Sequence, residues 1–139
     1  MELPAALTDR VAFLLQLALR RAQAMGEEAL ADLGLHGREY GLLALLEPGP
    51  AAGQRELGAV LGLDRTTTLK LVRGLVDRGL VRRTTAPGDA RALVLELTPA
   101  GERLRAAAAA RLVACDEEFL APLRPDERAQ VETALRRLL

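Results

Sequence analysis

Residues 57–101 constrain the fold more than any other part of the chain. With the residues just before them they contain, in order, a helical stretch over Gln54–Leu61, a turn at Gly62-Leu63-Asp64, a second helical stretch over Arg65–Arg78, and two short strand-like stretches over Leu80–Thr85 and Arg91–Leu97. Asp64 is typical of a residue that caps a helix N-terminus, and Gly79 of one that ends a helix. The order predicts a winged helix-turn-helix, which presents one helix to a DNA major groove and one charged hairpin to the flanking backbone or minor groove.

The composition predicts a mainly helical protein with a packed core. The chain has 139 residues, half of them apolar and only 2% aromatic, so the core must be built from Leu, Val and Ala. Leu and Ala are strong helix formers. One cysteine cannot form an internal disulfide, the first residues lack the basic start of a signal peptide, and no uncharged apolar run is long enough to span a membrane. We therefore expect a cytoplasmic protein.

The charges are unevenly distributed along the chain. The 19 basic and 19 acidic side chains cancel, but residues 64–91 hold seven basic and three acidic ones, so this segment carries 7 − 3 = +4 and the remainder −4. A local cationic patch is the expected footprint of a surface that binds phosphates. The alternative is an ordinary solvated face, and the helix-turn-helix pattern around the patch favours the nucleic-acid interpretation.

The second helix of the motif has an inner and an outer face. Thr68, Leu71, Val72 and Leu75 follow helical spacing and are expected to face the core, which leaves Leu69 on the outer side. Hydroxyl, amide and cationic side chains on the outer side can bond phosphates and base edges, and an apolar one can contact a thymine methyl group. The predicted DNA contacts of the helix-turn-helix are Gln54, Arg65, Thr66, Thr67, Lys70 and Arg73. The alternative for each is a solvent-exposed helix residue.

The hairpin adds Arg83, Asp89 and Arg91 to the predicted DNA contacts. Asp89 and Arg91 are two residues apart in an extended segment, so their side chains point the same way. We expect Asp89 to orient Arg91, or another arginine of the wing, toward the DNA backbone, and an arginine at the wing tip suits the minor groove. A salt bridge within the hairpin, with no external partner, is the alternative, and both can hold at once.

The two ends of the chain are predicted to be long helices that one copy cannot bury. Apolar residues recur at helical spacing over Ala5–Met25, and a heptad-like seam runs from Leu104 to Phe119 in a helix that begins at Thr98-Pro99. Residues 27–35 are expected to form a second short helix or the tail of the first, residues 36–46 another helix, and a last helix begins at Pro125. We predict a helical dimerisation region at residues 1–35 and 99–139 and a winged DNA-binding domain at residues 36–98. A symmetric dimer also suits a DNA target with two half-sites.

Several short motifs together resemble the MarR family of transcriptional regulators over nearly the whole chain. They are Leu33-Gly34-Leu35, Glu56-Leu57 with Leu61-Gly62-Leu63, Gly79-Leu80-Val81 with Arg83, Asp89-Ala90-Arg91, and Leu97-Thr98-Pro99-Ala100-Gly101. The resemblance implies a homodimer with interlocked terminal helices whose two winged domains bind palindromic double-stranded DNA, usually as a repressor released by a small molecule. It also implies an effector pocket between the dimer helices and the winged domain, here near Leu14, Ala18, Tyr40 and Leu43.

Four positions depart from the family pattern. The family often has a basic residue in place of Ala90, an acid followed by a base in place of Arg73-Gly74, a small or hydroxyl residue in place of Leu69, and an apolar residue in place of Thr68. These departures and the zero net charge keep a second hypothesis open, in which the winged fold binds a protein partner and DNA only weakly.

No residue pattern points to an enzyme, a cofactor or a metal. The sequence has no glycine-rich phosphate loop, serine-based triad or dinucleotide fingerprint. One His and one Cys are too few for a usual transition-metal site. Cys115 lies on the apolar seam of its helix with acids after it, so we expect a buried structural thiol rather than a redox sensor. His36 is expected to cap a helix or to lie at the surface.

Overall fold

A computed structural model describes residues 3–49 and 51–139, with all of their side chains except those at 51, 52, 92 and 93. The described chain folds into α1 (Ala5–Thr8), α2 (Val11–Leu30), α3 (Gly37–Leu45), β1 (Ala51–Ala52), α4 (Gln54–Val60), α5 (Arg65–Asp77), β2 (Val81–Ala86), β3 (Asp89–Leu97), α6 (Pro99–Phe119) and α7 (Pro125–Leu138). A 3-10 turn, Ala31–Leu33, follows α2. The predicted class, mainly helical with a winged helix-turn-helix, is confirmed.

The chain divides into two compact units. One, here called the winged unit, is residues 30–110; the other, here called the terminal unit, is residues 1–29 with 111–139. In the part of the chain that the structure describes, no helix is both long and apolar enough to cross a membrane.

The sheet of the winged unit has three antiparallel strands in the order β1-β3-β2. β2 and β3 form the predicted hairpin, with Val81 opposite Leu97, and the register shifts between Thr85 and Ala86 near its tip. β3 begins at Asp89, two residues before the predicted strand. β1 is missing from the sequence prediction because two alanines carry no strand signal of their own; they pair with Leu95 and Val94 of β3.

The helix-turn-helix and the sheet share one apolar core. Its large side chains with almost no exposed surface are Leu30, Leu42, Leu43, Leu46, Val72, Leu75 and Val81. The predicted inner face of α5 is confirmed for Thr68, Val72 and Leu75, whereas Leu71 is only half-buried. The core therefore holds α5 by one face and leaves its other face to solvent.

The first predicted helix, over residues 5–25, begins at Ala5 as predicted, but it is interrupted after Thr8 and continues past Met25, in agreement with the alternative that the next segment is its tail. The chain forms a short α1 that ends at Thr8, and α2 then runs from Val11 through Gly26 to Leu30. Gly26 does not interrupt this helix, as glycine often does. Leu112 of α6 packs against it, and a Cβ at Gly26 would lie 3.4 Å from Leu112 Cδ2. Tertiary packing here outweighs local propensity.

The start of α6 is bonded to, and packs against, the two residues between α5 and β2, Gly79 and Leu80. The Thr98 hydroxyl donates to the Gly79 carbonyl at 2.6 Å and accepts from the Gly101 N–H at 3.0 Å, which confirms Thr98 as the N-cap. Pro99 takes the first helical position, where its missing N–H costs nothing. A Cβ at Gly101 would overlap the Leu80 carbonyl, so the two backbones touch at this point.

Candidate nucleic-acid interface

The N-terminus of α5 is capped by Asp64, as its position before the helix predicts. The Asp64 carboxylate accepts from the Thr67 N–H at 2.8 Å and from the Thr67 hydroxyl at 2.7 Å. The backbone bond, with the hydroxyl bond adding to it, lowers the pKa of Asp64 below its ordinary value. Thr67 is half-buried, and its hydroxyl uses its one donor in the hydrogen bond to the Asp64 carboxylate. Toward DNA it retains only an acceptor, a limit that sequence reasoning missed.

The packing of α4 on α5 explains why a threonine occupies the usually apolar position 68. Thr68 is 2% exposed, and its hydroxyl donates to the Asp64 carbonyl at 2.8 Å, so the buried hydroxyl is paired. Gly58 of α4 faces it, and a Cβ at Gly58 would overlap the Thr68 hydroxyl. The helix-turn-helix therefore depends on a glycine and a threonine that fit each other.

The outer face of α5 presents most of the predicted base-reading side chains to solvent. Arg65, Thr66, Lys70 and Arg73 are all exposed. Arg73 has 82% of its side chain exposed and lies 3.9 Å from Asp77 one turn on, a distance and exposure at which an ion pair holds a side chain only weakly. The face is cationic and accessible to a ligand.

A clamp that the sequence did not reveal holds the C-terminal end of α5 against the start of α3. Arg78 donates to the Glu39 carboxylate at 3.1 Å and to the Gly34 carbonyl at 2.8 Å. The second oxygen of Glu39 accepts from the His36 N–H at 2.9 Å and so caps α3. His36 is the exposed N-cap residue of α3, in agreement with its expected place. Because the clamp joins residues about 40 positions apart, no local pattern predicts it.

The wing contains one arginine that is bonded within the hairpin and two whose side chains are exposed to solvent. Arg82 makes two bonds of 3.1 Å each with Glu96, its cross-strand neighbour. The hydrogen bond to Glu96, aided by charge attraction, raises the pKa of Arg82, and the same bond lowers the pKa of Glu96. Arg83 and Arg91 are exposed. The internal salt bridge that was the alternative for the hairpin thus exists, but it uses Arg82.

Asp89 shapes the wing tip through the backbone. Its carboxylate accepts from the Arg91 N–H at 2.9 Å, next to Gly88 with its positive φ of 83°. Asp89 was predicted to orient Arg91 or another arginine of the wing, and the contact found is with the main chain of Arg91. Asp89 therefore stabilises the turn from which Arg91 projects, which orients that side chain indirectly.

Gln54 occupies the first position of α4. Gly53 precedes it as the N-cap with a φ of 86°, a conformation that favours glycine, and contributes no side-chain cap. Gln54 is half-buried. This is the place that the predicted phosphate contact would require, the first residue of α4.

The residues near the implied effector pocket have different surroundings. Leu43 is fully buried in the winged unit and Tyr40 is half-buried on α3, whereas Leu14 and Ala18 of the terminal unit are exposed. Tyr40 lies near Arg105, whose guanidinium bonds Glu102 at 2.7–2.8 Å and contacts Glu47 at 3.3 Å. The bond to Glu102 comes first among the causes that raise the pKa of Arg105.

Cys115 is a buried thiol, as expected from its helix position. It is 8% exposed, and burial, with Asp116 and Glu118 adding their charge, raises the pKa of the Cys115 thiol. A raised pKa keeps the thiol protonated and unreactive. Across residues 3–49 and 51–139, no three or more His, Cys, Asp or Glu side chains are grouped as metal ligands would be.

Comparison with known sequences identifies relatives over most of the chain. A family model described as MarR family matches residues 33–92. A putative transcriptional regulatory protein for the hcr operon of Thauera aromatica is 32% identical over 71% of this chain, which spans only 60% of that protein, less than two thirds. The HTH-type transcriptional repressor NicR of Pseudomonas putida is 30% identical over 98% of this chain and 86% of NicR.

Two solved structures match the chain over nearly its whole length. CouR of Rhodococcus jostii RHA1, in a crystal structure with p-coumaroyl-CoA, is 32% identical with a TM-score of 0.83, over 97% of this chain and 95% of that chain. The transcriptional repressor CouR bound to a 23-mer DNA duplex is 28% identical with a TM-score of 0.85, over 99% of both chains.

Proposed function

Because this chain belongs to the MarR family of transcriptional regulators, we propose that it is a sequence-specific repressor that binds a palindromic operator as a homodimer. The observation that carries the proposal is the outer face of α5. Its cationic and hydroxyl side chains are exposed while the opposite face is anchored in the core. A helix held in this way can enter a major groove without rearranging.

Each element of the winged unit has a separate task in this proposal. Lys70 and Arg73 read base edges, for which guanine O6 and N7 are the matching acceptors. Arg65, Thr66 and Gln54 bond phosphates and set the register of the helix. Arg83 and Arg91 hold the flanking backbone or minor groove from the wing. Thr67 and Asp89 support these contacts as parts of the α5 cap and the wing turn.

Two copies are required because the terminal unit exposes apolar surface. Helices α2, α6 and α7 carry half- or more-exposed leucines and valines, among them Val11, Leu19, Val113 and Leu138. A second copy of this chain is the occupant that the proposal assigns to these faces. Pairing them places two recognition helices on one duplex, with half-sites about 34 Å apart, one turn of DNA.

Relatives support both the DNA and the ligand parts of the proposal. NicR is named a repressor, one solved CouR structure contains a 23-mer DNA duplex, and another, of CouR from Rhodococcus jostii RHA1, contains p-coumaroyl-CoA. We extend to this chain a cytoplasmic role on operator DNA and a response to a small-molecule effector. An effector that changes the spacing of the two winged units changes affinity, because both helices must fit the same duplex. No chemical reaction is part of this role.

Selection from random-sequence duplexes tests the proposal. Purified chain is carried through several rounds, and the enriched DNA is titrated against competitor at two salt concentrations. We expect an inverted repeat bound tightly and with a steep salt dependence. Failure to enrich any sequence would overturn the proposal and favour the protein-binding module.

The wing supplies a matched test of the phosphate contacts. Arg91→Ala should weaken binding to every sequence alike and lower the salt slope by about one for each phosphate that Arg91 neutralises. Arg82→Ala is the control, since Arg82 is already bonded to Glu96. An unchanged salt slope in Arg91→Ala would exclude Arg91 from the backbone contacts.

A further inference from the structure

We propose that Leu69 determines part of the operator sequence by contacting the 5-methyl group of a thymine in the major groove. The inference rests on the proposed function and adds to it a specific base at one position of each half-site. It assigns a reading role to an apolar side chain, whereas the polar residues of α5 account for hydrogen-bonded contacts.

The exposure of Leu69 is unusual within its unit. Among the described side chains of residues 30–110, the large hydrophobic ones classed as exposed are Val60 and Leu69, at 70% and 44%. A single exposed leucine needs no explanation by itself. Its position on α5 is what gives it meaning.

Leu69 lies inside the cationic outer face rather than at its margin with solvent. Thr66 is three residues before it and Arg73 four after it, so both are its neighbours along the helix surface. Arg65 is four residues before it and Lys70 is the next residue, and both are exposed. Side chains that draw phosphates and base edges to α5 therefore bring DNA against Leu69 as well.

Only one group in the major groove matches a leucine at that place. Leucine has no donor or acceptor, so pressing it against a base nitrogen or oxygen would leave that atom unpaired. The 5-methyl group of thymine is the apolar feature of the groove, and cytosine lacks it. Leu69 is thus expected to favour thymine and to disfavour the other bases at the position it meets.

Removing single methyl groups from the DNA tests this directly. In the selected operator, each thymine is replaced in turn by deoxyuridine, which keeps the base pair and deletes only the methyl group. We expect one thymine per half-site whose replacement weakens wild-type binding about fourfold, which corresponds to the loss of one buried methyl-sized group from the interface. Replacement of any of the remaining thymines should change the dissociation constant by less than about twofold, well below that effect.

Two variants connect the effect to the side chain. Leu69→Ala should bind the thymine and deoxyuridine operators nearly equally, because the shorter alanine side chain does not reach the methyl group. Val60→Ala is the matched control: it shortens the other large apolar side chain of the helix-turn-helix that is classed as exposed, at the end of α4, and should keep the wild-type sensitivity. Thermal unfolding of both variants verifies that the fold is retained.

The outcomes separate this inference from the proposed function. Specific DNA binding with no thymine sensitive to methyl removal, or with the sensitivity retained in Leu69→Ala, overturns the role of Leu69 and leaves the regulator intact. Absence of specific binding to any duplex overturns both. The deoxyuridine series on wild-type protein needs no variant, so a misfolded mutant cannot obscure the result.

Discussion

The winged unit and the terminal unit differ in where they hold their large apolar side chains. In the winged unit the described leucines and valines lie mostly inside, and Val60 and Leu69 are the exceptions classed as exposed. In the terminal unit the exposed ones include Leu7, Val11, Leu14, Leu15, Leu19, Val113, Val131, Leu135 and Leu138, while Cys115 is its buried apolar residue among those described.

The difference indicates that a single copy of the chain buries most of the apolar side chains of the winged unit but leaves many of those in the terminal unit uncovered. The winged unit closes its own core, and the proposed function assigns its surface polar groups to DNA recognition. The terminal unit exposes the kind of surface that monomeric proteins rarely present in quantity. Variants that break one unit should therefore leave the other largely unaffected, and substitutions in each unit can test that division.

The largest effect is expected from opening the winged core. Leu42 is fully buried, so Leu42→Ala should lower the free energy of unfolding by about 4 kcal/mol. The matched deletion in the terminal unit is Leu19→Ala, on α2 and 56% exposed, which should cost far less in dilute protein. Urea denaturation followed by circular dichroism compares the two. Equal losses of stability would contradict the division between the units.

The next effect is on association. Leu135 of α7 is 43% exposed, and Leu135→Glu places a charge on the surface assigned to the second copy. Because a two-fold interface contains each change twice, the dimer dissociation constant should rise about 100-fold or more, from the apolar area removed in both copies. Sedimentation velocity measures it, with Glu132→Gln on the same helix as control. A variant that associates as tightly as wild type would remove α7 from the interface.

A smaller effect should come from the contact between α4 and α5. Gly58→Ala overlaps Thr68 and is expected to cost about 2 kcal/mol through overpacking. Thr68→Ala makes room, so the double variant should be more stable than the sum of the single losses predicts. Unfolding of the four proteins in a double-mutant cycle measures the coupling. Strict additivity would mean that the two residues do not press on each other.

The smallest effect is the pH dependence of the α5 cap. The pKa of Asp64 is lowered in the folded protein, so its stabilising contribution is complete above the ordinary value of 3.8 and is lost as the pH falls through the lower folded value. Asp64→Ala should therefore lower the Tm at neutral pH, and the difference from wild type should shrink toward about pH 3. Asp64→Asn keeps a capping acceptor, so it should lower the Tm at neutral pH by less than Asp64→Ala, while its difference from wild type should change with pH to the same extent, because neither variant titrates at this position. A difference independent of pH would mean that the charged cap adds nothing.

Local signals account for most of the winged unit. Asp64, Gly79 and Thr98 act on residues within a turn of themselves or at a chain reversal, and each occupies the place its residue type predicts. The hairpin likewise follows from alternating residues around a glycine turn. Such features require no knowledge of the rest of the chain.

What the sequence did not predict depends on contacts between distant residues. β1 exists because Ala51 and Ala52 find β3 more than 40 positions later. Helix α2 passes through Gly26 because Leu112 packs there, and the Arg78 clamp joins α5 to Gly34 and Glu39. The bond from the Thr67 hydroxyl to Asp64 is the exception, a local contact that the position of Thr67 on α5 did not reveal. The predicted DNA contacts themselves await tests with DNA.

The central claim is that the winged units read DNA while the terminal units pair two chains, and the mass of the protein–DNA complex tests it most directly. Sedimentation equilibrium of wild-type protein with the selected operator should give two chains per duplex, and Leu135→Glu with a single half-site should give one. One wild-type chain on the full operator would contradict the account. So would a number of bound chains that follows the number of half-sites in the DNA and is the same for wild type and Leu135→Glu.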